Sequence, residues 1–215
     1  MQFEIVELFL FLLVVGGATK AASYFAAVAG SLTRAERNAV VIRSVGIQAV
    51  VLAIFAAFGT GILQFMHVSV GAIEIAGGII LFVFALGLVL GEEHDHSAEK
   101  PVGDISVYPM AVPLLATPQA IVAITVIFAR APDAAARMNA WIALALLVVA
   151  NFGLLFAIAR LMKDGNADKA KKGSGFAGVL LRIIAILLAA LAIELIVLGL
   201  REYGVLPPAP ARIAH

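Results

Sequence analysis

The sequence predicts an all-α integral membrane protein with six transmembrane helices in two inverted three-helix repeats, the first helix of each repeat being interrupted. Three observations carry that expectation. The chain is 63% hydrophobic and only 13% charged, with a mean hydropathy of +1.07, whereas a soluble domain carries about 25% charged residues. Too little polar surface is left to face water all round. Six stretches, roughly 5–29, 39–63, 70–90, 107–129, 139–160 and 177–200, are each long and apolar enough to cross ~30 Å of hydrocarbon. The first and fourth of them carry helix breakers near their middles.

The first stretch starts MQFEIVELFLFLLVV, with Glu4 and Glu7 and no Lys or Arg. A signal peptide needs a positive n-region, so the stretch is read as an uncleaved first helix. It continues as GGATKAASYF, where Gly16 and Gly17 permit unwinding and Lys20 lies near mid-span. A charge there is costly unless it faces a cavity or partner. The ammonium could bind a carboxylate, pair with Glu194, or be neutral. The third stretch holds Glu74 about a turn inside, read as an interfacial anchor, and Gly77 and Gly78, read as a site of close helix packing. The linker after it, EEHDHSAEKPVGD, contains Glu92, Glu93, His94, Asp95 and His96. These types suit zinc, but adjacent residues on an unscaffolded loop seldom converge, so a solvated charged loop is expected and no metal.

The fourth stretch, YPMAVPLLATPQAIVAITVIF, has Pro109, Pro113 and Pro118 in one span. Each lacks an N–H and clashes with the carbonyl four residues earlier. Freed backbone groups in a membrane must face protein or a wet cavity. Two outcomes are open: a simple proline kink, or an unwound stretch from Pro113 to Gln119. The second would offer carbonyls, the Thr117 hydroxyl and the Gln119 amide to a solute, with the half-helix after Pro118 aiming its positive end there. A basic linker, KDGNADKAKKGSG, precedes the sixth stretch. That last span carries Arg182 near its start, read as an anchor, and Glu194 in its far half, facing either outward or inward. The whole chain is one membrane domain, divided as 1–90, a cytoplasmic linker 91–106, 107–200 and an outside tail 201–215.

Aligning Asn38 with Asn139 sets LTRAERN beside APDAAARMN and places Gly17 against Pro118, so the two breaks coincide. With an odd number of helices per half, the second half must lie upside down, which is a transporter signature. Orientation follows from Lys and Arg. One side holds Arg34, Arg37, Arg43, Lys100, Arg160, Lys163, Lys169, Lys171, Lys172 and Arg182; the other holds only Arg130, Arg137, Arg201 and Arg212. The basic loops should be cytoplasmic and both termini outside.

TRAERNAVVIRS, IEIAGGIILFVFALGLVL, YPMAVPLLATPQAI and LRIIAILLAALAIELIVLGL together resemble the MarC family of bacterial inner-membrane proteins, also called the neutral amino acid transporter family. The resemblance covers nearly the whole chain. It implies six helices in two inverted repeats, a distant similarity to amino-acid exporters of the LysE type, and transport of small amino acids such as glycine and alanine in some members. The chain departs from the family at both breaks. Gly17, Ala18 and Ser23 stand where an Asn-Pro or Asp-Pro and a second proline are usual, and Lys20 is added. Thr117, Pro118 and Gln119 replace Gly-Pro-Gly, and Glu194 stands where glutamine is frequent.

The expected function is therefore alternating-access transport of small neutral amino acids or similar metabolites. The binding residues would be Gly16, Gly17, Lys20, Pro113, Thr117, Pro118, Gln119 and Glu194. The alternative is a non-transporting scaffold or regulatory subunit that keeps the fold. No nucleophile-elbow, phosphate-loop or HExxH pattern occurs, so no enzyme is expected. With no cysteine and a net charge of +1, neither a thiolate metal site, a cofactor nor a nucleic-acid partner is suggested. The partners are the lipid bilayer, a small-molecule substrate and, as an open option, a second copy of the chain.

Overall fold

A computed structural model describes residues 4–90, 104–161 and 175–207, all in helices and short connections, with no strand among the described residues. The acidic and histidine-bearing cluster 92–96, the basic run 163–172 and the end of the tail lie outside them. The helices are α1 (Ile5–Val15), α2 (Ala18–Ala29), α3 (Arg34–Phe65), α4 (Val70–Leu90), α5 (Pro118–Arg130), α6 (Ala134–Leu161) and α7 (Gly175–Glu202), with a wide-wound segment, Ser106–Leu115, ahead of α5.

Three helices, α3, α4 and α6, are long and apolar enough to cross a membrane unbroken. Only 33–39% of an apolar 18-residue stretch in each is buried in the protein. Most of their apolar surface faces outward, as lipid exposure requires. Two further spans arise if each bent pair counts as one: α1 with α2, bent by 45°, and Ser106–Leu115 with α5, bent by 54°.

The breaks have local causes. Gly17 sits at φ +67, a left-handed conformation that glycine adopts without a Cβ penalty. In the second pair, Tyr108 and Val112 are extended, at φ −129, ψ 126 and φ −133, ψ 122. Each precedes a proline, which disfavours the helical conformation in the residue before it. The helix absorbs both interruptions by widening. Met110 N–H reaches the Ile105 carbonyl and Ala116 N–H the Ala111 carbonyl, each five residues back. Pro118 then occupies the first turn of α5, where a missing N–H is harmless, and Thr117 caps that helix.

Helix α3 starts earlier than its apolar stretch suggests. Thr33 and Glu36 form a capping box: the Glu36 carboxylate accepts from Thr33 N–H at 2.8 Å and the Thr33 hydroxyl oxygen from Glu36 N–H at 3.4 Å. The helix thus carries Arg37 inside it, and at 32 residues it is about 48 Å long.

Helices α4 and α7 pack along their length. Gly78 lies against the Ala192 carbonyl and Ile196, and Gly199 against the Gly71 carbonyl and Ile75, so added methyls would sit about 2.5–2.7 Å from their neighbours. The pairing is antiparallel, and glycine is what lets the backbones meet. The segment Ser106–Leu115 packs on α3 as α1 packs on α6; α5 packs on α3 as α2 packs on α6; and α3 packs on α6. Two buried clusters result. One joins Leu12, Val15, Leu52, Ala123, Ile124 and Leu147. The other joins Phe25, Val41, Met110, Leu114, Leu115 and Leu155.

Candidate functional site

The two breaks touch. A Cβ on Gly17 would collide with the Leu114 carbonyl oxygen and the Thr117 methyl. The Thr117 hydroxyl donates to the Val15 carbonyl at 2.9 Å and accepts from Ala120 N–H at 3.0 Å. One side chain therefore satisfies the last carbonyl of α1 and the first turn of α5 together. The Leu115 carbonyl, freed where the wide-wound segment ends, accepts from Gln48 Nε2 at 3.2 Å, and Gln48 Oε1 accepts from Asn151 Nδ2 at 3.2 Å. Gln48 is 0% exposed and Asn151 1%. Amides buried this deeply need hydrogen bonds; Asn151 meets that need through Nδ2 alone, its buried Oδ1 having no partner among the described residues. Ser44, also fully buried, donates to the Val40 carbonyl one turn back in α3.

Gln48, Asn151 and Ser44 were not among the expected site residues. Gln48 and Asn151 had a signal in the sequence, each a polar side chain within an otherwise apolar stretch, GIQAV and VVANF, whereas Ser44 stands beside Arg43. In lipid such residues bond across helices.

Of the residues singled out from the sequence, Gly16, Gly17, Pro113, Thr117, Pro118 and Gln119 gather around this crossing. Val15, Leu115, Ala116 and Thr117 are buried there, while Gln119 and Pro113 are half-buried and Pro118 is exposed. Lys20 lies in the first turn of α2. It is half-buried, with its ammonium 4.3 Å from the centre of the Phe84 ring of α4, a cation–π arrangement. Gly17 offers α2 no capping side chain. The first turn of α2 thus has no side-chain cap for its N–H groups, and Lys20 lies in that turn.

Glu194 is elsewhere, and no ion pair joins it to Lys20 among the described residues. It lines a crevice of about 750 Å³ with Glu7, Glu74 and Arg130, toward the far end of α5.

Glu74 corrects its sequence reading. It is no interfacial anchor but 0% exposed, held by both arms of Arg130 at 2.7 and 2.8 Å. Arg130 Nη2 also donates to Glu202, whose other oxygen accepts from Gly71 N–H at 2.9 Å. The burial follows from the close approach of α4, α5 and α7, which brings in an arginine remote in sequence. At the opposite end, Arg43 meets Asp104 at 3.2 Å. The Ser106 hydroxyl and N–H both donate to Asp104 and, with Arg43, hold its carboxyl below the usual aspartate range.

A family model described as MarC family integral membrane protein matches residues 2–203. A UPF0056 membrane protein of Archaeoglobus fulgidus is 36% identical over 151 residues, 67% of each chain. One from Methanocaldococcus jannaschii is 32% identical over 178 residues, 80% of this chain and 83% of its own. The UPF0056 membrane protein YhcE of Escherichia coli is 30% identical over 169 residues, 74% of this chain and 73% of its own. No solved structure matches.

Proposed function

The chain belongs to the MarC family of integral membrane proteins, and on that premise we propose that it is a six-span transporter of small neutral amino acids or similar small metabolites, built from two inverted repeats. The pairing of elements supports the repeats. Most contacts of residues 5–90 and 106–202 match, with α1 answering to Ser106–Leu115, α2 to α5, α3 to α6 and α4 to α7, although the packing of α4 on α5 has no equal between α7 and α2 among the described residues. A two-fold relation between the halves would pair the elements in this way, and inverted repeats are one such relation. The sixth span would be α7, at 28 residues long enough to cross. The protein would sit in the inner membrane with both termini outside.

The observation that carries the reading is the uncapped start of α2 at the crossing of the two breaks, with Lys20 in its first turn. Helix N–H groups and an ammonium attract a carboxylate. Thr117 and Gln119 stand nearby to read other polar groups. The packed crossing is then an occluded state, opened when one repeat rocks against the other. No catalytic chemistry is involved.

The same packing gives the rival reading its support. Thr117 and Gln48 already occupy the break carbonyls, as in a scaffold that keeps the fold without moving a solute. A thermal-shift screen of the purified protein against amino acids separates the two. The transporter predicts stabilisation by one small amino acid that Lys20→Met abolishes, with the empty variant as stable as the parent. No response to any amino acid would leave the scaffold.

A further inference from the structure

The crevice beside Glu194 lies apart from the crossing and has no role in the reading above. Its walls are apolar side chains of α1, α5 and α7, among them Phe11, Val14, Ile127, Leu187, Leu191 and Leu195. At about 750 Å³ it is the size of sites that take drug-sized molecules. Four charged residues line it. Glu74 and Arg130 neutralise each other through two hydrogen bonds, and Glu202 takes the remaining capacity of Arg130. Among the described residues Glu7 and Glu194, both exposed along the crevice, have no hydrogen-bond or ion-pair partner. Glu194 lies two turns from the end of α7. A carboxylate at that depth is costly unless a cavity or a cation receives it.

We infer that the crevice between α1 and α7 binds an amphipathic monocation, an apolar body bearing one ammonium group. The apolar walls take the body. Glu7 and Glu194 supply an uncompensated negative charge in its lining, which a neutral or anionic amphiphile would not satisfy. A phosphate-bearing lipid fits poorly, because the cavity's cation is already held by two carboxylates and the free groups are anionic.

The test uses the full-length protein in detergent, melted with octylammonium, octan-1-ol or octanoate at equal concentration. All three are eight-carbon amphiphiles, so the alcohol and the carboxylate report the effect of chain partition without an ammonium. Octylammonium should raise Tm by about 3 °C, and the other two should not. Glu7→Gln with Glu194→Gln should remove the response. Leu191→Trp should remove it independently by filling the crevice, which keeps the test valid if the double variant folds poorly. Octan-1-ol matching octylammonium, or a response that survives either change, overturns the inference. Lys20→Met should leave the octylammonium response intact, so failure here and failure of the amino-acid reading remain distinct.

Discussion

Arg130 spans three helices with one guanidinium, and its removal would leave a different problem at each contact. Glu202 is partly exposed and can turn to water. Glu74 is 0% exposed and cannot. Breaking a fully buried ion pair from one side costs about 3–5 kcal/mol, but the Arg130 side chain is 42% exposed, so solvent reaches the pair and the cost falls to about 1–3 kcal/mol. Arg130→Met should therefore destabilise the protein by that order, measured by reversible unfolding in detergent. Arg130→Met with Glu74→Leu should recover much of the loss, since an apolar pair of similar volume replaces the stranded charge. Failure of the double variant to recover would show that Glu202, not Glu74, carries the coupling. Nothing in the sequence could have announced this pair. Glu74 stands one turn inside a span, where an anchor and a buried partner look the same, and the arginine is 56 residues away. The mid-span Gln48 and Asn151 were different. Their expense in lipid was legible from position alone, even though the Leu115 carbonyl they serve was not.

At the scale of elements, the two interruptions were readable because their causes are local. Glycine pairs and prolines act on the backbone whatever surrounds them, and both spans bend where those residues fall. The winding of Ser106–Leu115 was not readable. It depends on how the helix recovers after Tyr108 and Val112 are forced extended. The early start of α3 could have been found, since Thr33 and Glu36 have the spacing of a capping box, but hydropathy alone places the start at the first apolar run. Gly17 and Gly46 show how context separates identical residues. Gly46 is helical, with nothing within 4 Å of an added Cβ. Gly46→Ala should stabilise α3 by about 0.5–1 kcal/mol. Gly17→Ala meets a left-handed backbone and the Leu114 carbonyl together, and should cost at least about 1–3 kcal/mol. Denaturation midpoints of the two variants should move in opposite directions from the parent. A neutral Gly17→Ala would mean that the two breaks do not touch in the working protein.

For the whole molecule, the class was legible in composition, because a chain this apolar has only lipid to face. What composition cannot give is which end of the bundle faces which compartment. The proposal of outside termini rests on the asymmetry of Lys and Arg, and the structure makes it testable at described positions. Ser31, in the turn between α2 and α3, and Met66, just past the end of α3, are both exposed and lie at opposite ends of one long helix. The chain has no native cysteine, so Ser31→Cys and Met66→Cys each introduce a single label site. In intact cells an impermeant thiol reagent should label the Met66 variant and spare the Ser31 variant, and lysis should expose both. The reverse pattern would place the arginines at the start of α3 outside. The loop bias would then fail as a guide, because short basic loops are the strongest form of that signal. Labelling of both in intact cells would be the more damaging result. It would mean that α3 does not span the bilayer, and the two-repeat arrangement, which requires α3 and α6 to cross in opposite directions, would fall with it.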